Sequence, residues 1–237
     1  MLSIVHNHAD WVIVNKPAGI SMQQEQGEPN SLSLLQLSLA AVQNIDLSTT
    51  RLWPVHRLDK ATSGLIIFAK SAAAAAQFGE LFSTQKISKL YLAIALGKPK
   101  KKQGWVKGDM EKGRNGSWLL TRSQNNPAIT YFNSCAIQTD ISNIDNPSIP
   151  NNNPSKRLYL VTPKTGKTHQ IRVALKSLGC AILGDERYKG AVDNRCYLHA
   201  FRVVFNWQGI EHQFQCEPDQ GNWPDFKQIE MLNEFFL

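Results

Sequence analysis

One short segment of the sequence, HRLDKATSG at 56–64, places a carboxylic acid between two cations. Arg57 and Lys60 flank Asp59 there, just before an apolar run. Nearby positive charge favours the ionised form of a carboxyl group, and an ionised carboxylate can act as a nucleophile or as a base. A salt bridge on a loop is the more ordinary role for such a residue. The segment by itself therefore leaves both roles open.

A second segment, KTGKTHQIR at 164–172, leads into an amphipathic helix. Thr168, Arg172 and Lys176 share one face of it at four-residue spacing, and Gly179 stands where the helix should end. A basic stripe beside a helix N-terminus suits phosphate oxygens, although a solvated polar face has the same pattern. Apolar residues mark the opposite face: Ile171, Ala174, Leu175 and Leu178.

A third segment, KLYLAI at 89–94, has the composition of a strand. Its tyrosine, Tyr91, would most often pack in a core. The same ring could instead stack on a nucleobase, because every base offers a flat aromatic face. The sequence alone leaves both roles open for this side chain.

Several common catalytic classes lack their motifs here. Gly166-Lys167-Thr168 resembles the end of a phosphate-binding P-loop, but that motif needs a glycine where Val161 stands. The histidines have no HExxH or H-x-x-x-H spacing, which argues against a metal site. The G-x-S-x-G elbow of serine hydrolases is missing as well. We therefore predict no nucleotide hydrolysis and no bound metal.

The overall composition favours a soluble protein with an anionic partner. The net charge of +7 and the isoelectric point near 9.3 suit RNA, DNA or an acidic membrane surface. The cysteines lie far apart and form no CxxC pair, as is typical of reduced thiols in the cytoplasm. We find no signal peptide at the start, and no apolar run approaches the roughly 20 residues of a membrane span. We expect a cytoplasmic protein without membrane contact.

Strands dominate the expected secondary structure, without regular β-α-β alternation. Ser71 should cap an alanine-rich helix, and Leu32, Leu35, Leu39 and Val42 recur at the spacing of another that starts near residue 31. This mixture predicts an α+β fold with helices packed on a mostly antiparallel sheet. Apolar and alternating runs predict strands at 2–5, 11–15, 64–70, 89–96, 128–134, 157–162 and 199–205.

The region 139–154 is rich in Asn, Pro, Ser and Asp and lacks periodicity. Such a composition is typical of an exposed, flexible loop. A domain boundary could fall there, but we expect the motifs before and after it to build one site. The sequence therefore predicts a single domain over residues 1–237.

Taken together, these segments resemble the RluA family of pseudouridine synthases. One such motif is a weak signal, but an ordered set along most of the chain is highly specific. The resemblance implies that the protein converts particular uridines of a structured RNA, such as rRNA or tRNA, to pseudouridine. The matching segments are NKPAG at 15–19, HRLDKATSGLIIFAK at 56–70, KLYLAIALGKP at 89–99, PKTGKTHQIRVALKSLGCAILGDERYKG at 163–190 and YLHAFRVVF at 197–205.

The resemblance also implies roles for individual residues. Asp59 matches the aspartate that the family needs for catalysis, and Tyr91 matches the tyrosine that lies against the target base. Arg172 matches the basic residue paired with the aspartate, and Arg57 the arginine that replaces the extruded nucleotide in the RNA stack. The implied fold is a mixed, largely antiparallel sheet with an active-site cleft across it. No cofactor is implied, since the reaction transfers no electron and no group.

The chain departs from the family pattern at a few places. Lys167 stands where many members have arginine, Ala174 stands where many have histidine, and 139–154 has the character of an insertion. We expect the family's frequent N-terminal S4-type RNA-binding domain to be absent, because the Lys-Pro-Ala-Gly motif begins at residue 16. The catalytic domain would then grip RNA itself. Nothing in the sequence demands a protein partner or more than a monomer.

Two other functions compete with catalysis on RNA. A basic protein of this fold could bind RNA without modifying it, but a pure binder has no use for Asp59, which would repel phosphates. A DNA-directed enzyme would have the same overall charge, whereas the family's substrates are RNAs recognised through loops and shape. We therefore predict an RNA-modifying enzyme. The RNA species, the target uridine and the route by which Asp59 acts stay open.

Overall fold

The computed structural model describes residues 2–22, 52–137, 155–229 and 231–232. The helix expected near residue 31 and the loop expected at 139–154 lie outside these ranges. The described α-helices are α1 (Ala72–Ser83) and α2 (Gln170–Ser177), and short 3-10 helices lie at Arg114–Gly116, Glu186–Tyr188 and Phe226–Gln228. The described strands are β1 (Ser3–Asn7), β2 (Trp11–Lys16), β3 (Trp53–Pro54), β4 (Ser63–Ala69), β5 (Ser88–Leu96), β6 (Gln103–Gly108), β7 (Met110–Lys112), β8 (Trp118–Leu120), β9 (Ala128–Ala136), β10 (Lys156–Pro163), β11 (Leu198–Trp207) and β12 (Ile210–Gln215).

Most of these strands form one sheet in the order β1-β2-β4-β11-β5-β10-β9-β6. In addition, β12 pairs with β11 and β3 pairs with β4, while β7 and β8 form a separate hairpin. All described pairings are antiparallel except that of β4 with β11. The predicted α+β class with a mixed, mostly antiparallel sheet is confirmed. Among the described helices, none is long and apolar enough to cross a membrane.

The strands that sequence patterns did not predict lie at the margins of the fold. β6 ends the main sheet, β12 pairs only with β11, the two-residue strand β3 pairs only with β4, and the short strands β7 and β8 pair only with each other. Their side chains are mostly exposed or half-buried. Such strands need few large apolar residues, so they lack the apolar runs that marked β2, β4 and β5.

Helix α1 covers one face of the sheet. The Ser71 side chain accepts a hydrogen bond from the Ala74 amide at 3.1 Å, which confirms the predicted N-cap. Phe78 is fully buried on its inner face and stacks on Trp207 at 4.6 Å between ring centroids. This contact fixes α1 over β11, close to the segment that carries Asp59.

The parallel pair of β4 and β11 requires a glycine at its start. Gly64 lies opposite Ala200 in the register and has φ +111°, a conformation that L side chains rarely adopt. A Cβ at this position would overlap the carbonyl oxygen of Ala200. The close approach fixes the point at which the Asp59 segment enters the sheet.

A buried histidine joins the same two strands. His199 is fully buried, its Nδ1 accepts from the Ser63 hydroxyl at 2.8 Å, and its Nε2 donates to the carbonyl oxygen of Cys216 at 2.8 Å. The Ser63 oxygen accepts in turn from Arg195 at 2.6 Å. Burial lowers the pKa of His199 to about 4, so its imidazole stays neutral near pH 7.

We expect the free energy of unfolding to fall as the pH drops from 6.5 towards 4. The unfolded chain takes up a proton on His199 near the ordinary pKa of about 6.5, whereas the folded protein does not until about pH 4. This linkage removes about 1.4 kcal/mol per pH unit in that window. Urea unfolding of the wild type and of His199→Gln between pH 7 and 5 measures it. An equal pH slope in both proteins would contradict the prediction.

Candidate active site

The structure places Arg57, Asp59, Tyr91 and Arg172 around one cleft of about 520 Å³. Its lining includes the loop before β4, the end of α1, the start of β5, and the turn that leads into α2. A cleft of this size is in the usual range for sites that bind a small organic group. The four residues singled out from the sequence thus lie together, although Tyr91 and Arg172 are distant in the chain from Arg57 and Asp59.

Asp59 lies in a turn that is fastened at both ends. The Thr62 amide donates to the Asp59 carbonyl at 3.0 Å, and the Gly19 amide donates to the Lys60 carbonyl at 2.7 Å. Leu58 is buried in the main core and anchors the turn from below. The Asp59 carboxylate, 17% exposed, therefore points into the cleft from a rigid support.

Lys16 ties the end of β2 to the Asp59 turn. Its side chain is fully buried, and its ammonium donates to the carbonyl oxygens of Pro17 and Ile20, each at 2.9 Å, and more weakly to that of Lys60 at 3.5 Å. Burial lowers the pKa of Lys16 to about 7, while the charge of Asp59 acts against that shift. Sequence analysis used this lysine only as part of a family segment. A lysine that ends a strand with an apolar run, Trp11 to Val14, is the signal that could have marked it.

Arg172 is held between two carboxylates. Its Nη1 lies 3.3 Å from Asp59 Oδ2, while its Nε and Nη2 donate to the two oxygens of Asp185, both at 2.7 Å. Burial opposes the positive charge, but the hydrogen bonds and charge of Asp185 outweigh it and raise the pKa of Arg172. The bidentate pair with Asp185 fixes the guanidinium plane, and the remaining nitrogen faces Asp59.

This geometry corrects the interpretation of α2 as carrying a solvated or phosphate-binding basic stripe. Arg172 is buried, whereas Lys176 on the same face is exposed, and Thr168 precedes the helix, which begins at Gln170. Burial of the arginine is possible because Asp185 supplies a matching charge 13 residues further on. Helical spacing alone could not reveal that partner.

His169 is a second partner of Asp59. Its Nε2 lies 3.9 Å from Asp59 Oδ1, and its Nδ1 lies 2.9 Å from the Tyr188 hydroxyl. That hydroxyl accepts from the Trp118 amide at 3.0 Å, and its own proton is available to Nδ1. Burial lowers the pKa of His169, which keeps the ring neutral near pH 7. In the tautomer that accepts the Tyr188 proton at Nδ1, Nε2 carries a hydrogen and faces Asp59.

The backbone of His169 has φ +59° and ψ 16°, in the left-handed region, immediately before α2. The side chain of Gln170 holds this turn in place. Its Nε2 donates to Ile129 O and Thr130 Oγ1. Its Oε1 accepts from the Thr165 hydroxyl and the Lys167 backbone amide. Sequence analysis argued only against a metal-binding role for the histidines and did not single out His169. The structure shows a polar contact with Asp59.

Tyr91 packs in the core and also faces the cleft, and its stacking on a base stays a prediction. It is 9% exposed and belongs to the main core, yet its ring also lines the cleft beside Asp59. Burial, and to a lesser extent the charge of Asp59, raise the pKa of its hydroxyl. The phenol therefore stays protonated at neutral pH and offers a flat apolar surface rather than a base.

Arg57 differs from these side chains because it is exposed at the cleft. The described residues that contact the Asp59 carboxylate are Arg172 and His169, and Arg57 is not one of them. Among the residues that the structure describes, no cluster of histidine, cysteine and acidic side chains could hold a metal ion. The absence of a cofactor stays a prediction.

Comparisons with known proteins agree with the predicted family and with the fold. Residues 10–177 match the family model described as RNA pseudouridylate synthase. The chain is 42% identical over 224 residues to an uncharacterized RNA pseudouridine synthase of Haemophilus influenzae, covering 94% of this chain and 90% of that protein. It is 32% identical over 213 residues to ribosomal large subunit pseudouridine synthase C of Rickettsia bellii, covering 86% of this chain and 63% of that protein.

Solved structures show the same fold. Human RNA pseudouridylate synthase domain containing 1 superposes with a TM-score of 0.70 at 24% identity, covering 92% of this chain and 84% of that one. The chain belongs to the RNA pseudouridylate synthase family. It is an isomerase that converts uridine in RNA to pseudouridine, as the sequence predicted.

Proposed function

We propose that the protein isomerises specific uridines in a structured ribosomal or transfer RNA, with Asp59 as its catalytic group. The observation that carries this proposal is the Asp59 carboxylate, set in the cleft between Arg172 and His169 and next to the Tyr91 ring. Asp59 is the one carboxylate among the described residues that line the cleft. A relative whose name specifies the ribosomal large subunit favours rRNA.

The geometry suits the chemistry that pseudouridine formation requires. Uracil must leave C1′, turn, and rejoin the sugar through C5. The Asp59 carboxylate can attack C1′ or remove a proton from C2′, and both routes use the same ionised oxygen. Arg172 donates to Oδ2 and fixes the orientation of the carboxylate, and His169 lies 3.9 Å from Oδ1. The Tyr91 ring offers a surface against which the detached uracil can turn. These residues need no cofactor, and we propose none.

The target nucleotide must leave its stack before Asp59 can reach it. Extrusion of a base from a duplex costs a few kcal/mol. We assign Arg57 the role of filling the space that the nucleotide leaves, because it is exposed at the cleft and does not pair with Asp59. A planar guanidinium can stack between neighbouring bases.

We extend the proposal to the organisation of the whole chain. Residues 1–237 form one catalytic domain, since strands from both sides of the region 139–154 pair in a single sheet. RNA is bound by this domain itself, with the net charge of +7 favouring its phosphates. The protein acts in the cytoplasm as a monomer without an obligate protein partner.

Pseudouridine mapping of total RNA tests the proposed substrate. RNA from cells with the gene, without it, and with the gene restored is treated with a reagent that marks pseudouridine at single-nucleotide resolution. A site in rRNA or tRNA that disappears on deletion and returns on restoration supports the proposal. Loss of a site in another RNA class alone would overturn the assignment to rRNA or tRNA.

We expect Arg57→Ala to slow isomerisation most on stable stem-loops and less on short flexible RNAs. The reason is that extrusion is costly only where the target base is stacked. Arg57→Lys should restore activity in part, because lysine keeps the charge but lacks the planar group that stacks. Single-turnover rates on a folded and an unstructured RNA with the same target measure the difference. An equal fractional loss on both substrates would rule out the stacking role.

A further inference from the structure

Lys89 is a cation in the cleft that the proposed mechanism does not use. It lies on β5 two residues before Tyr91, so both side chains leave the same face of the strand. Both residues line the cleft together with Asp59. Lys89 is therefore positioned close to any nucleotide whose base lies on Tyr91.

Among the described residues, no acidic group acts on the pKa of Lys89. Its ammonium lies 5.7 Å from the centroid of the Phe82 ring, and that ring packs on His56 at 5.1 Å. Burial, followed by the charge of Lys89, lowers the pKa of His56 to about 3, so this neighbour is neutral. Within the described ranges, Lys89 makes no ion pair and no hydrogen bond to a side chain. Burial alone lowers the pKa of Lys89, without an opposing acidic group.

The other cations of the cleft are placed differently. Arg172 is saturated by Asp185 and Asp59. Arg57 and Lys164 are exposed, and Lys167 lies near Asp109, on whose carboxyl group its charge acts. Lys89 is thus the half-buried cation of the described cleft whose desolvation is not yet compensated.

A backbone phosphate is the anion that would compensate it. Each nucleotide that enters the cleft brings a phosphodiester on either side of its ribose, and charge-assisted hydrogen bonds from an ammonium to such oxygens are strong. A second carboxylate would serve no purpose here, because it would repel the same phosphates. We propose that Lys89 binds a non-bridging phosphate oxygen next to the target uridine and so seats its ribose against Asp59. This inference rests on the proposed function and adds a phosphate subsite to it.

A double-mutant cycle between protein and RNA tests the subsite. The probe is a short stem-loop from the mapped RNA, with one methylphosphonate replacing the phosphate 5′ or 3′ of the target uridine. In the wild type, neutralising the contacted phosphate should weaken binding about 10-fold or more. In Lys89→Gln and Lys89→Met, the same neutralisation should weaken binding little further, since the cation that contacts the phosphate is already gone. Lys89→Arg should keep most of the effect.

Lys86→Gln is the matched control. Lys86 is exposed, lies three residues earlier and is not part of the cleft lining. It should leave turnover unchanged and retain the full methylphosphonate effect. If the effects of Lys89→Gln and of the methylphosphonate on binding free energy are additive at both phosphate positions, the proposed subsite is wrong. Wild-type turnover of the unmodified RNA reports separately on the proposed function, so the two failures are distinguishable.

A measurement on the wild type alone does not depend on whether a variant folds. The ¹³Cε signal of Lys89, assigned by its loss in Lys89→Arg, gives the pKa of the ammonium with and without the stem-loop. Because burial lowers this pKa in the free protein, a bound phosphate must raise it. An unchanged pKa in the saturated complex would overturn the proposal.

Discussion

We expect Asp59→Asn to reduce isomerisation by roughly 10³-fold or more, the scale of loss for a residue that acts covalently or as the sole base. RNA affinity should stay within several-fold of the wild type, since the substitution removes one negative charge and no phosphate contact. Single-turnover assays with saturating enzyme, combined with filter binding of the same RNA, separate the two quantities. Substantial turnover by the variant would refute the assignment of Asp59.

The fold should tolerate this substitution. Arg172 keeps its bidentate pair with Asp185, and the amide oxygen of asparagine can still accept its third N–H group. The turn itself is held by backbone hydrogen bonds that the side chain does not make. Asp193→Asn is a matched control, because Asp193 is exposed and lies outside the cleft. It should leave both turnover and unfolding unchanged.

The central part of the fold was predictable because burial leaves a clear pattern there. β2, β4 and β5 are buried on both faces, so they appear in the sequence as continuous apolar runs. The amphipathic pattern likewise marked α2, and Ser71 marked the start of α1. Strand order was not predictable from local patterns, since the parallel pair of β4 with β11 joins segments more than 100 residues apart.

The site was predictable only in part, for a related reason. The type and spacing of residues around Asp59 suggested chemistry, but only the family resemblance connected it with Tyr91 and Arg172. The supporting residues were missed because their roles are non-local. Lys16 reaches a carbonyl 44 positions away, and Asp185 looks like an ordinary loop acid until the fold brings Arg172 to it. Patterns of periodicity carry no information on such contacts.

The pair of Arg172 with Asp185 has a second large consequence. The Asp185 side chain is 1% exposed and does not line the cleft, so Asp185 is a positioning residue that acts through Arg172. Asp185→Asn would leave the guanidinium buried with only Asp59 as an ionic partner. Loss of one member of a buried ion pair typically costs about 3–5 kcal/mol of stability. We expect the free energy of unfolding, measured in urea, to fall by this amount.

The same variant should also lose about 10²-fold in kcat at a temperature where it remains folded. Without its bidentate partner, Arg172 can turn towards Asp59 and pair with both carboxylate oxygens. The oxygen that must face the sugar is then occupied. A displacement near 1 Å is enough to lower kcat about 10²-fold. KM should change little, because both side chains are buried and engaged with each other. Ala174→Gly is the control for stability alone: it should loosen α2 by about 1 kcal/mol or more and leave kcat unchanged. If Asp185→Asn lowers stability but retains wild-type kcat when folded, then Asp185 supports only the fold, and Arg172 is oriented by Asp59 itself.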